Sequence, residues 1–206
     1  MAVDFKSSQT KDNLMRAFAG ESQARNRYTF AAGVARGQNQ QAIAQAFTYT
    51  ADQEKEHAEI FYDHLKEMAG ENIHIDGAYP VDLTENLAEL LRMAQHNEYE
   101  EHDDVYKHFE EVAREEGFDH IAASFHMIAE IEKFHGDRFK RFAEYLEQGT
   151  LHRNETSTSW ICLNCGYIYE GDEAPLECPV CHHDQGYYIR LDQSPFTDGI
   201  LSGNEL

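Results

Sequence analysis

Glutamate recurs where the apolar spacing of four helical segments demands a core residue. Reading residues at intervals of three and four, the first stripe runs Leu14, Phe18, Glu21, Arg25, Tyr28 and the second Ile43, Phe47, Thr50, Glu54, His57, Phe61, Leu65. The third runs Leu83, Leu87, Leu91, Ala94, Glu98, Glu101, Val105, Phe109, and the fourth Ile121, Phe125, Ile128, Glu132, His135, Phe139, Phe142, Leu146. An unpaired ionised carboxylate in a dry interior is costly, and Arg25 is the only base on the four stripes. Five converging acids therefore call for bound metal cations.

Helical patterning from Thr10 to Gln148 is interrupted at Arg36-Gly37-Gln38-Asn39, at Gly70, at Gly77-Ala78-Tyr79-Pro80 and at Gly117 and Gly149. Short turns join the first helix to the second and the third to the fourth, while the middle connection, about 71 to 82, is longer. Two helical hairpins linked by a crossover predict an all-α four-helix bundle over residues 1–149. The polar stretch TLHRNETSTS reads as a linker over 150–158, followed by a small β module at 159–192 and a tail at 193–206 without legible chemistry.

The donor set narrows the metal. One Glu from each of two helices and a Glu-x-x-His from each of the other two match the carboxylate-bridged di-iron or di-manganese pattern. Glu21 precedes Glu54 by 33 residues and Glu98 precedes Glu132 by 34, so the hairpins read as a duplicated half-site. Glu101 has no counterpart in the first half, and from the pattern alone it is either a ligand or a partly solvated acid. Glu71 and His74 share the Glu-x-x-His spacing but fall in the middle connection and read as plain loop. Asp52, Glu56, Glu59 and Asp103 lie off the stripes and read as surface.

All four cysteines fall in WICLNCGYIYEGDEAPLECPVC, residues 160–181. Cys162, Cys165, Cys178 and Cys181 can close a tetrahedral thiolate site that suits zinc or iron, and their crowding points to metal in a reducing compartment. Gly166 fits the tight turn after the second cysteine. His182 stands where the second turn calls for glycine, which puts the hydrogen bonding there in question. The chain has 17 Lys plus Arg against 38 Asp plus Glu, a formal net charge of -21, which disfavours nucleic acid and anionic membrane surfaces. Neither a signal-like N-terminus nor an apolar span is evident, so the expectation is a soluble, cytoplasmic protein.

The segments AGESQARNRY (19–28), TADQEKEHA (50–58), AREEGFDHIAASF (113–125), WICLNCGYIYEG and CPVC resemble the rubrerythrin family, a ferritin-like bundle fused to a rubredoxin-like domain. The resemblance extends to about Leu191. It implies a non-haem di-iron peroxidase that reduces hydrogen peroxide to water in oxidative stress protection. Ferroxidase or iron-handling activity, and oxygen reduction, stand as alternatives. The implied di-iron ligands are Glu21, Glu54, His57, Glu98, Glu101, Glu132 and His135. Glu54 and Glu132 would bridge, and Glu101 and His57 would alternate on one iron. Tyr28 and Tyr106 would hydrogen-bond ligand carboxylates. One further iron in the cysteine site would relay electrons, zinc being the substitute metal as prepared. Also implied are a homodimer or larger assembly that places one subunit's module beside another's di-iron centre, and an external donor such as reduced rubredoxin or an NAD(P)H-linked reductase.

Overall fold

The computed structural model describes residues 3–195. Helix α1 (Gln9–Gly37) starts on Ser8, whose hydroxyl accepts the Lys11 N–H. Its first free N–H groups, those of Gln9 and Thr10, are taken up by the Glu116 carboxylate at 3.0 and 2.8 Å, a remote acid serving as a cap. Helix α2 (Gln41–His64) follows a turn at Asn39, which adopts φ +57°.

Helices α3 (Leu87–Glu100) and α4 (Tyr106–Glu116) form one rod interrupted by a π turn at Glu101–Val105. Asn86 caps α3 by accepting the Ala88 and Glu89 N–H groups. Gly117, at φ +89°, ends α4 in the left-handed conformation that glycine adopts without strain. Helix α5 (Asp119–Glu147) completes the bundle. Among the described residues no helix is long and apolar enough to cross a membrane.

Three strands follow, β1 (Arg153–Cys162), β2 (Ile168–Glu173) and β3 (Tyr188–Arg190), in an antiparallel sheet of order β2-β1-β3. Trp160 on the central strand pairs with Tyr169 on one side and Arg190 on the other. It is fully buried, with Cys162, Ala174, Cys178 and Tyr188 in its cluster.

The bundle core divides into two apolar clusters. Phe47, Phe139, Tyr28 and Leu91 lead one, and Leu14, Phe61, Phe125, Ile121 and Tyr106 the other. Along α2 the order is Phe47, Thr50, Glu54, His57, Phe61, so the acids and histidines occupy the band between the clusters. The β module rests on the first cluster through Leu151 and Ile189, with Ile161 and Leu163 packed beside them.

Four sequence expectations require correction. Arg25 is exposed, so the stripe it was placed on contributes no buried base. Leu83 is 83% exposed and lies in the connection before α3. The third helix is not a continuous α-helix, because one extra residue is accommodated at the π turn. The stretch read as a linker is already strand from Arg153, which pairs with Glu173 across a register shift; alternation of polar residues on a solvated two-sided strand looks like loop to a hydropathy argument. Of the tail, Gln193 lies in a short turn and accepts from Arg141 at 2.6 Å, while 196–206 falls outside the described residues.

Candidate metal centres

Glu21, Glu54, Glu98 and Glu132 are at most 1% exposed, His135 is 0% and His57 5% exposed. They form two overlapping groups whose ligand atoms lie within 4.8 Å of one another: Glu21, Glu54, His57 and Glu132, and Glu54, Glu98, Glu132 and His135. Glu54 and Glu132 belong to both. Helical periodicity explains the convergence, because positions i and i+3 share a face and α2 and α5 each present a Glu-x-x-His toward the other.

Apart from the His57–Glu54 hydrogen bond, the contacts inside this band are short but poorly made as hydrogen bonds. His135 Nδ1 lies 2.8 Å from Glu132, 2.9 Å from Glu54 and 3.5 Å from Glu98, yet neither ring nitrogen of His135 has a hydrogen-bonding geometry with any of them. Both Glu132 oxygens, and one oxygen each of Glu21, Glu54 and Glu98, are buried and without a hydrogen-bond partner. His57 Nδ1 is 2.9 Å from Glu132 and 3.1 Å from Glu54. Buried polar atoms are normally satisfied. Donor atoms that crowd together while aiming past one another fit cations placed between them.

The outer residues fix the orientation of two carboxylates. Tyr28 donates its hydroxyl hydrogen to Glu98 and Tyr106 donates to Glu21, each phenol reaching across to the opposite hairpin. These bonds hold the carboxylates' second oxygens toward the shared centre. Tyr28 lies seven residues after Glu21, and Tyr106 eight after Glu98; each tyrosine precedes its hairpin's Glu-x-x-His glutamate by 26. The extra residue of the second hairpin therefore falls between Glu98 and Tyr106, where the π turn lies. Glu101 begins that turn. It is half-buried, and burial, then Glu98 and Glu132, push its pKa well up.

Electrostatics tell the same story. Burial first, and then Glu132 and Glu54, raise the Glu21 carboxyl well above its ordinary range; burial and Glu54 push Glu98 up to about 8. Burial opposes charge on the histidines, but the carboxylates around them prevail and lift His57 to about 9 and His135 to about 12. Glu132, although buried, is held down at about 2 by its contacts with His135 and His57. Without metal, protons would supply the positive charge that the band demands. Arg138 contributes as well: half-buried beside the band, it donates to Thr50 and Gln53 at 2.6 and 3.0 Å. Sequence reasoning missed it, since it lies three residues past His135 and off the apolar stripe.

In the β module the four sulfurs lie within 4.8 Å of one another. The Cys162–Cys181 and Cys165–Cys178 Sγ separations are both 3.7 Å, against about 3.8 Å for the edge of a tetrahedron with metal–sulfur bonds of about 2.3 Å. The two turns match. Gly166 N–H donates to Cys162 O at 2.8 Å with φ +78°, and His182 N–H donates to Cys178 O at 2.9 Å with φ +60°. The missing glycine is thus a correction in the protein's favour: His182 accepts the left-handed conformation and keeps the bond. Backbone N–H of Tyr167 and of His183 also reach Cys165 and Cys181. Glu71, in contrast, is exposed and paired with Lys6 at 2.8 Å, and His74 is exposed beside it in sequence.

The family model for rubrerythrin matches residues 12–143, and that for the rubrerythrin rubredoxin-like domain matches 160–189. This chain belongs to the rubrerythrin family. It is 44% identical to rubrerythrin of Clostridium perfringens over 184 residues, covering 89% of this chain and 94% of that one. To rubrerythrin of Porphyromonas gingivalis it is 42% identical, over 91% and 92%. The solved structure of fully reduced, all-ferrous nigerythrin superposes with a TM-score of 0.60 at 27% identity over 89% of this chain and 90% of that one. A bacterioferritin of Mycobacterium tuberculosis, at 19% identity and TM-score 0.60, covers 72% and 90% and shares the bundle fold. The rubrerythrin fold here accordingly carries a di-iron carboxylate site and a rubredoxin-like four-cysteine site.

Proposed function

We propose that this rubrerythrin is a peroxidase that reduces hydrogen peroxide to water. The observation that carries the reading is the pairing, in one chain, of a buried six-donor band, with Glu101 at its edge, and a four-cysteine site of rubredoxin-like type. Peroxide reduction consumes two electrons and two protons and yields two waters. Two irons bound in the band supply both electrons and a Lewis acid, and the thiolate iron returns electrons singly.

In this reading Glu54 and Glu132, which belong to both donor groups, would be shared by the two irons, Glu21 with His57 and Glu98 with His135 would hold one iron each, and Glu101 would be the additional carboxylate. Tyr28 and Tyr106 orient Glu98 and Glu21. The apolar clusters led by Phe47 and Phe61 exclude bulk water on either side. Glu101 and His57 would be the alternative donors to one ion, letting the band match the ion's charge. The protein acts in the cytoplasm, in oxidative stress protection, as a homodimer or larger assembly supplied by an external donor such as reduced rubredoxin or a reductase linked to NAD(P)H.

The test mixes anaerobically reduced, iron-loaded protein with hydrogen peroxide or with oxygen in a stopped-flow instrument. Faster reoxidation of both iron centres by peroxide is expected. Faster turnover with oxygen would refute the peroxidase assignment, and accumulation of many irons per subunit would favour iron handling.

A further inference from the structure

A cavity of about 200 Å³ leads from the surface to Glu101. Its inner wall consists of Glu101, Tyr106 and Asn97, with Gly20 beside them; the last two are the chain neighbours of Glu98 and Glu21. Its outer wall is the middle connection, at Gly77, Ala78, Tyr79 and Pro80, all exposed. Of the seven donors, Glu101 is the one not fully buried. The cavity is smaller than the roughly 300–1,000 Å³ of pockets that hold drug-sized ligands, which limits it to small molecules.

Tyr79 forms the roof. Its hydroxyl donates to the Arg16 carbonyl at 3.0 Å. Opposite edges of the ring face two glycines: a Cβ on Gly20 would meet Cε1 at 3.7 Å, and one on Gly77 would come within 3.0 Å of Cε2. The connection around it is fastened at both ends. Arg16 pairs with Asp76 at 2.7 Å, and Asp82 receives Arg27 together with the Asn97 amide, the latter at 2.9 Å. These pairs also neutralise the two arginines of the mouth, and Glu100 lines it as an exposed carboxylate, so nothing there attracts an anion.

We propose that this cavity is the route by which a small uncharged oxidant reaches the di-iron centre, and that Tyr79 is the residue that sets the size limit. The inference rests on the metal reading above and deepens it. Tyr79 touches neither a donor nor a reacting atom; it acts by occupying the passage.

The test uses full-length, iron-loaded, oxidised protein and azide as the probe, because azide bound to ferric ion gives a charge-transfer absorption that needs no turnover. Tyr79→Ala is expected to raise the azide association rate about fivefold or more and Tyr79→Trp to lower it, with the equilibrium affinity of both within twofold of the parent. A peroxide series adds a second readout: Tyr79→Ala should improve the relative rate of tert-butyl hydroperoxide over hydrogen peroxide at least fivefold. Association rates and selectivity within twofold of the parent in both variants, at full iron content and unchanged helical circular dichroism, would overturn the route. Absence of any azide band in the parent would instead overturn the metal reading on which it stands.

Discussion

Replacing Glu101 by glutamine keeps the side chain's shape and removes its charge, which isolates what the fifth carboxylate does. Five carboxylates exceed the four positive charges of two ferrous ions by one and fall one short of the six of two ferric ions. Taking one acid away leaves the reduced centre neutral and the oxidised centre with two uncompensated charges in a buried band. The loss therefore falls on the oxidised state. For a unit charge about 4 Å from the nearer iron, at an effective dielectric constant of about 20, the interaction is about 4 kcal/mol. With about 59 mV and about 1.4 kcal/mol each to a factor of ten for a one-electron couple, the midpoint potential should rise by on the order of 170 mV. Spectroelectrochemical titration of the Glu101→Gln protein at matched iron content measures this directly. A shift under about 50 mV, or a downward one, would show that Glu101 does not face the centre as an anion, and the account of the π turn would fail with it.

Tyr28→Phe and Tyr106→Phe each remove a phenol that satisfies a buried carboxylate, so each should cost about 1.5–3 kcal/mol in denaturant unfolding and weaken iron binding about 10- to 100-fold; two silent substitutions would refute the orienting role. Chelating the metal should make protons take its place. Because the metal-free band lifts His57 to about 9 and His135 to about 12, reloading ferrous ion at pH 7 should release protons, and affinity should climb with pH; titration in buffers of differing ionisation enthalpy checks it. The same raised histidines give metal-free protein stability that is full below about pH 6.5 and lost as pH rises, through about 9 for His57 and about 12 for His135. Glu116 has the opposite sign. Burial disfavours its charge, but the Thr10 hydroxyl and two backbone N–H groups outweigh that and lower its pKa, so its capping contribution holds above the ordinary carboxylate range and fades as pH falls. Glu116→Gln should cost about 1 kcal/mol near neutrality and flatten the acid limb of a thermal-melting profile. Finally, a Cβ on Gly186 would lie 1.6 Å from the Asn39 carbonyl oxygen, so Gly186→Ala should loosen the β module from the bundle, seen as faster proteolysis after Gly149 with the bundle's melting unchanged.

The donor band was legible because a buried carboxylate contradicts its surroundings, and four contradictions in register leave few explanations. Cys162, Cys165, Cys178 and Cys181 were legible for a similar reason, since only close spacing of rare residues closes a tetrahedron. What pattern could not convey was local backbone accommodation. His182 takes φ +60° without a glycine's freedom, a tolerance that one-residue strain of about 1–2 kcal/mol permits. The strand from Arg153 has exposed positions on both faces along most of its length, so no alternation announces it. Arg138 is a half-buried cation whose role shows only in its contacts with Thr50 and Gln53 on another helix, which is why a stripe argument passes over it.

The most informative detail was a discrepancy of one residue. The intervals of 33 and 34 between paired glutamates look like drift in an old duplication, yet the equal intervals of 26 from each tyrosine confine the difference to the segment between Glu98 and Tyr106. An inserted residue within a packed helix cannot be absorbed by rotation, which would turn every later side chain by about 100° and carry Tyr106 off Glu21. A π turn absorbs it locally, keeping Tyr106 in its crossed bond while widening the backbone at Glu101. The same turn forms one wall of the cavity roofed by Tyr79. The extra residue thus sets a fifth acid on one side of an otherwise paired four-carboxylate band, beside the cavity at Glu101.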